Sequence, residues 1–380
     1  MNSEKIHSER WPRLIKGTVP HCWVASLDFD YIVPAIALLL LGCCLELCGQ
    51  ELSNDEQQGL LDAHVAELNK GKGSYPISMS TWVKHCWIKW DGKNDPPKEL
   101  DLPQALALLP EPEEQKQKHY RLTALDGKFR GGEDAEWHTY GVVRPGDDPK
   151  TVWLQYFVFF GWNEPEAASS IPDKIGAFLG GGDADPGRHE GDWLSYAVKV
   201  NISDRRNPKP VDVFVFNHGR PVFADDPFAP GHVAHIDDKT GVHVKLYLED
   251  GTNELWPFKG DAKGDGFGGE GIPDWVWTSH FLSHEDAELA WLEKVDWLTA
   301  EQRAVRGHDS DDLKLKPLKV VNVGLDKSFS SDPEAQFFHR FVGRYGEAHS
   351  KGGDPPAGPP FQNNSMWDWH KLSRERAKKP

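Results

Sequence analysis

The chain has 380 residues, enough to bury a large core in two domains or in one elaborated domain. Its 43 Lys and Arg against 59 Asp and Glu give a net charge of -16, with no basic block longer than the C-terminal Arg374–Lys379 stretch, so no nucleic-acid partner is expected. Four of the five cysteines fall within the first 50 residues and no CxxC pair occurs. A disulfide framework and a thiolate zinc site are thereby excluded from the body of the chain, where Cys86 reads as a small buried hydrophobe.

Residues 1–50 read as a leader or N-terminal extension. The apolar run Ile32–Leu41 is shorter than the roughly 20 residues of a spanning helix. It fits either the h-region of a secretory signal or a short buried or interfacial helix, and no integral membrane span is expected. Leu40-Leu41-Gly42-Cys43 resembles the lipobox of bacterial lipoproteins, although Asp28 and Asp30 stand where a signal carries positive charge. The expected location is extracellular or lipid-anchored at the cell envelope, with the cytoplasm as the alternative.

Residues 51–373 read as a single β-sandwich-type domain, followed by a basic tail at 374–380. Ser53 and Glu56 form a capping-box pattern, and Leu60, Leu61, His64, Val65 and Leu68 keep helical spacing up to Gly71. Short β-branched and aromatic runs then follow at 139–144, 152–160, 194–200, 211–216 and 244–248, separated by turn signals. Asp250-Gly251 predicts a tight hairpin between 245–248 and 253–256. A second helical stretch is expected over 283–306, with Gly- and Pro-rich loops at 94–97, 260–271 and 352–360. No internal repeat and no alternating helix–strand rhythm is present. The expected fold is mainly β, an antiparallel β-sandwich with helical additions.

Sixteen Trp and 18 Phe suit buried sheet faces. Trp162, Trp256, Trp275 and Trp277 stand in or beside Gly- and Pro-rich segments and are the candidates for stacking on sugar rings. The densest polar chemistry is Arg188-His189-Glu190-Gly191-Asp192-Trp193. If the chain is extended from Glu190, the two-residue period puts Glu190 and Asp192 on one face. Two such carboxylates either raise one pKa or recruit a cation, with Asp183 and Asp185 adding hard oxygen ligands and His189 a nitrogen. His218, at the end of the 211–216 run, is a further candidate. His232 and His235 have a spacing that can chelate but read as exposed loop residues. Residues 261–266 fail as an EF-hand because Lys263 takes a ligand position and Ile272 that of the bidentate Glu. No nucleophile elbow, Walker loop or HExxH occurs.

Taken in order, Tyr75-Pro76-Ile77-Ser78, Tyr140–Pro145, Leu154-Gln155-Tyr156-Phe157, His189-Glu190-Gly191-Asp192-Trp193, Phe216-Asn217-His218-Gly219, Phe341–Gly346 and Pro355–Pro359 resemble the vacuolar protein sorting-associated protein 62 family. The resemblance runs over about Ser74 to Trp369. The HEGDW core is also similar to the motif of necrosis-inducing secreted proteins, β-sandwich cytolysins that use a divalent metal to engage glycolipid head groups. That looser similarity implies His189, Asp192 and His218 as metal ligands. Two positions depart from the pattern, Leu194 where a Glu usually follows HEGDW and Asn253 where a His is usual.

The leading expectation is an exported protein that binds a divalent metal (calcium, magnesium or manganese) and engages a glycan or lipid head group. One alternative is a polysaccharide-active hydrolase or lyase using Asp192 or Glu190 as base and His189 or His218 as acid. The other is a non-catalytic structural or trafficking component.

Overall fold

The computed structural model describes residues 52–70, 74–92, 100–127, 129–132, 136–163, 189–217, 220–223, 243–248, 253, 255–256, 313–314, 318–326, 328–349, 355–362 and 366–368. The chain divides into Met1–Glu51 and Leu52–Pro380, and all of these residues belong to the second unit. The expected leader, the basic tail, the helix at 283–306 and the candidates Asp183, Asp185, His218, His232, His235, Trp275 and Trp277 lie outside the described residues.

In chain order the elements are α1 (Asn54–His64), β1 (Glu67–Lys70), α2 (Met79–Lys84), β2 (Cys86–Lys89), α3 (Leu102–Leu108), α4 (Pro112–Gln117), β3 (Arg121–Ala124), β4 (His138–Pro145), β5 (Thr151–Asn163) and β6 (His189–Asn201). Then come β7 (Lys209–Asn217), β8 (Arg220–Phe223), β9 (Lys245–Leu248), β10 (Leu255–Trp256), β11 (Leu313–Lys314), β12 (Lys319–Asn322) and α5 (Pro333–Arg340). Among the described residues the protein is strand-rich. A six-stranded sheet runs in the order β12-β4-β5-β6-β7-β8, a four-stranded sheet in the order β10-β9-β1-β11, and β2 pairs with β3. All five strand runs expected from sequence are present.

Two features differ from expectation. The sheets are mixed, because β12 pairs with β4 and β1 with β9 in parallel. Hydrophobic alternation decides which face of a strand is buried but not its direction, and partners this distant in sequence are not constrained by a hairpin. The first helix is also shorter. Ser53 caps it with the predicted box, accepting from the Glu56 amide, but the chain leaves the helix at Val65 (φ -60°, ψ 135°). Leu68 then enters β1 and is buried. Leu68 satisfies both helical spacing from His64 and strand spacing from Ala66, and sheet pairing on either side of β1 decides between them. β9 and β10 pair from Leu248↔Leu255, a longer separation than a two-residue hairpin has, and Asp250 and Gly251 themselves lie outside the described residues.

The long central pair β5–β6 is in register from Thr151↔Asn201 to Asn163↔His189 and is apolar on both faces. On one face Leu154, Tyr156, Val158 and Phe160, with Leu194, Tyr196 and Val198, share a core with Leu60, Leu61, Leu68, Leu246, Leu248 and Leu255. The phenol groups tie this layer down: Tyr156 Oη donates to Leu61 O (2.9 Å) and Tyr196 Oη accepts from Ala66 N (2.9 Å). On the other face Trp153, Phe157, Phe159 and Trp193 pack with α2, α3, α5 and the β2–β3 ribbon. Cys86 is buried in this second core, and burial followed by the nearby Glu190 charge pushes its thiol well up.

Candidate functional site

The HEGDW residues form the first part of β6, at one end of the central pair. Trp162 pairs with Glu190 and Asn163 with His189. On the other side, β7 pairs with β6 only from Ser195 onward. A strap at 345–349 takes up the remaining edge: the Glu190 amide donates to Glu347 O (3.0 Å), and His189 forms an antiparallel bridge with Ala348.

Gly191 is required at this junction. Its φ of +68° is left-handed, and a Cβ there would stand 1.7 Å from Tyr345 O. The same turn breaks the expected alternation, so Glu190 and Asp192 do not share a face. Asp192 is half-buried. Its register partner Phe160 and its next same-face neighbour Leu194 belong to the first core. Glu190 instead points toward the β2–β3 ribbon and the strap. Its Oε2 accepts from the Ala124 amide (2.8 Å) and its Oε1 from His349 Nε2 (2.8 Å), with the residue 1% exposed. Burial pushes this carboxyl up, against the opposing effects of those two bonds and of the His349 charge.

His189 is fixed by its own turn. Nδ1–H donates to Gly191 O (2.7 Å), which leaves the lone pair on Nε2, where Asn163 Nδ2 donates (3.0 Å). Asn163 Oδ1 is buried and has no hydrogen-bond partner among the described residues. Among the described residues it is a buried acceptor left unmet beside an oriented imidazole, and Trp193 Nε1 and the strap's Tyr345 Oη are likewise buried without a hydrogen-bond partner.

Trp162 is not a loop residue: it lies in β5, 1% exposed. It is a buried support, and its carbonyl accepts from Ser74 Oγ (2.6 Å) and Asn253 Nδ2 (2.9 Å). Asn253 sits at φ +59°, a conformation Asn tolerates better than most residues. It braces the strand end at the position where the resemblance calls for His. Trp256 belongs to the two-residue strand β10 rather than to a loop.

The fit to a metal is therefore partial. His189 Nε2, Asp192 and, after a half-turn of its amide, Asn163 Oδ1 are suitable donors, whereas both oxygens of Glu190 are already engaged. Among the described residues no group of three or more His, Cys, Asp and Glu side chains could hold a metal ion. Two contributors were missed from sequence. Asn163 was legible as the polar end of an apolar strand run. His349 was not, because nothing local links it to a partner 159 positions away.

Fold and site together define a strand-rich protein with a polar cluster at one end of its central strand pair. Over about half its length the chain is similar to necrosis- and ethylene-inducing proteins of known structure. It is 13% identical to non-toxic HaNLP3, covering 52% of this chain and 64% of that one at a TM-score of 0.29. It is 15% identical to Necrosis and Ethylene inducing Protein 2 from the causal agent of cocoa's Witches Broom disease, covering 52% and 61% at a TM-score of 0.27. Against NLPPya, solved in complex with glucosamine, identity is 13% and coverage 54% and 68% at a TM-score of 0.28. The chain thus spans under two thirds of the first two of these structures. No protein-family model and no curated protein matches the chain, so the resemblance to the vacuolar protein sorting-associated protein 62 family rests on the motifs quoted above.

Proposed function

We propose that this chain is an exported β-sandwich protein that holds a divalent cation (calcium, magnesium or manganese) at the His189 end of its central strand pair and engages a glycan or lipid head group there. One observation carries the reading: the buried Asn163 Oδ1, without a partner among the described residues, stands beside an imidazole whose Nδ1–H is tied to a backbone carbonyl. That tie is the arrangement that orients a ligating histidine. A half-turn of the Asn163 amide brings Oδ1 to where Nδ2 now meets His189 Nε2, so that oxygen and nitrogen face one ion. Asp192 supplies the charge, with Asp183, Asp185 or His218 as further ligands. The bound ion would offer open coordination positions to ligand hydroxyls.

Glu190 is assigned a different task from that of ligand or base. With Ala124 N and His349 on its two oxygens, it anchors the strap that holds His189 in place. The sandwich reading is supported by the core that the four- and six-stranded sheets share. For location, the apolar run 32–41 ending at Cys43 supports export or lipid anchoring. Among the described residues no helix is long and apolar enough to cross a membrane.

The test is cation-dependent binding to a panel of immobilised glycans and glycolipid vesicles. Binding that is lost in a chelator, restored by one of the three ions and abolished by His189→Ala supports the proposal. Binding that is indifferent to the chelator, or no binding by a folded protein, overturns it.

A further inference from the structure

Two of the motifs quoted from sequence, Tyr140–Pro145 and Leu154–Phe157, meet far from the HEGDW end. Arg144 stands opposite Trp153, which is separated from Asn163 by about 33 Å of extended strand along β5. With Gln155 and Ser195 it forms a polar strip on the sheet face that carries the second core, and all three are buried. Hydrogen bonds link the strip: Arg144 Nε donates to Gln155 Oε1 (2.8 Å), and Gln155 Nε2 to Ser195 Oγ (3.5 Å) and Met366 O (2.6 Å). A C-terminal segment covers it. Arg144 Nη2 donates to Trp367 O (2.7 Å), and the guanidinium carbon lies 4.4 Å from the centre of the Trp367 ring, which also packs on Phe157, Phe338 and His339.

Every hydrogen-bond partner of Arg144 is neutral. Its bonds go to an amide oxygen and a backbone carbonyl, and among the described residues it forms no ion pair. Its third nitrogen, Nη1, meets no acceptor there and is not sealed from solvent. Buried cations are ordinarily paired, because a desolvated charge is costly until an opposite charge meets it. The charge of Arg144 stays uncancelled. Burial pulls its guanidinium down from 12.5 to about 10, opposed by the Asp368 charge, and at His339 the Arg144 charge still adds to burial in holding the imidazole neutral. A guanidinium with two nitrogens fixed and one open to solvent is an oriented donor for an oxyanion. We infer that Arg144 anchors a binding site for a carboxylate or phosphate group, which takes Nη1 at the margin of the Trp367 cover. Asp368, whose charge already acts on Arg144, is the built-in competitor. The site shares no residue with the proposed cation site and does not depend on it.

The experiment is calorimetric titration of the full chain with inorganic phosphate and, separately, with acetate. Chelator and constant ionic strength keep the cation site and general screening out of the result. At least one of the two ions should bind with a dissociation constant of about a millimolar or tighter, and the pair tells a phosphate site from a carboxylate site. Arg144→Gln should weaken binding at least about tenfold, the loss expected of a charge-assisted contact. Arg144→Lys, which keeps the charge without the planar fork, should still weaken it. Asp368 is half-buried, and Asp368→Asn, nearly unchanged in size, should tighten binding severalfold, an effect that a merely structural Arg144 does not produce. Lys118→Gln, at a surface cation paired with Glu114, should bind like the parent. Three results overturn the inference: a folded parent that binds neither ion, Arg144→Lys binding like the parent, or Asp368→Asn binding no more tightly.

Discussion

Two buried glutamates of this protein have opposite electrostatics. Glu334, in the first turn of α5, receives four donors: Ser80 N and Ser80 Oγ on Oε1, and His138 Nδ1 and Tyr140 Oη on Oε2. Burial alone would raise its carboxyl, but the bond and charge of His138, then the Ser80 and Tyr140 hydroxyls, bring it below 4.5. Glu190 receives two donors and burial prevails, so its carboxyl stands above 4.5. The donor supply, not the depth of burial, separates them. Glu334 is a satisfied clasp between α5, α2 and β4. Glu190 is a costlier anchor, kept at the point where the strap meets the HEGDW strand.

The largest effect is expected at the clasp. Glu334→Ala strands His138 and Tyr140 in the core and should cost about 3–5 kcal/mol in urea unfolding. Because the Glu334 carboxyl is depressed on folding, its contribution is present above pH 4.5 and lost as pH falls through the folded value. Glu334→Gln should therefore flatten the acid limb of the stability curve. Next, Gly191→Ala forces a left-handed alanine against Tyr345 O and should cost about 2–4 kcal/mol. Faster hydrogen exchange at the Glu190 amide should accompany the loss as the strap lifts.

Glu190→Gln should change stability by about 1–2 kcal/mol or less, with the reverse pH signature. The raised Glu190 carboxyl favours the folded state below pH 4.5, and that advantage fades as pH rises through the folded value. The stability of the parent relative to the variant should thus decline with rising pH. Smallest in stability is Asp192→Asn, within about 1 kcal/mol, which should nonetheless weaken cation binding. Its readout is the melting-temperature increment that added manganese produces.

The strand runs were legible because alternation and β-branched content report burial directly. The long β5–β6 pair, the α1 capping box and the polar HEGDW cluster all emerged from local pattern. What pattern left open was geometry created between distant segments. Parallel pairing of β12 with β4 carries no local signal. The reversal at Gly191, which parts Glu190 from Asp192, follows from the approach of Tyr345, and nothing near Gly191 announces it. For the same reason the partner of Glu190 is His349 from the strap, and the support at Trp162 comes from Ser74 and Asn253. Glu334 lay in no motif, since a buried carboxylate is recognised by its donors and these come from α2 and β4.

The proposed function divides labour at the HEGDW strand: His189, Asn163 and Asp192 would hold the cation, while Glu190 bonds the strap through His349. Manganese titration followed by the electron paramagnetic resonance signal of the free ion tests it directly. The parent chain should bind one ion with micromolar or better affinity, His189→Ala and Asp192→Asn should each weaken it at least about tenfold, and Glu190→Gln should bind nearly as the parent does. A folded parent that leaves the manganese signal unchanged, or a Glu190→Gln variant that loses the ion while Asp192→Asn keeps it, would contradict the account.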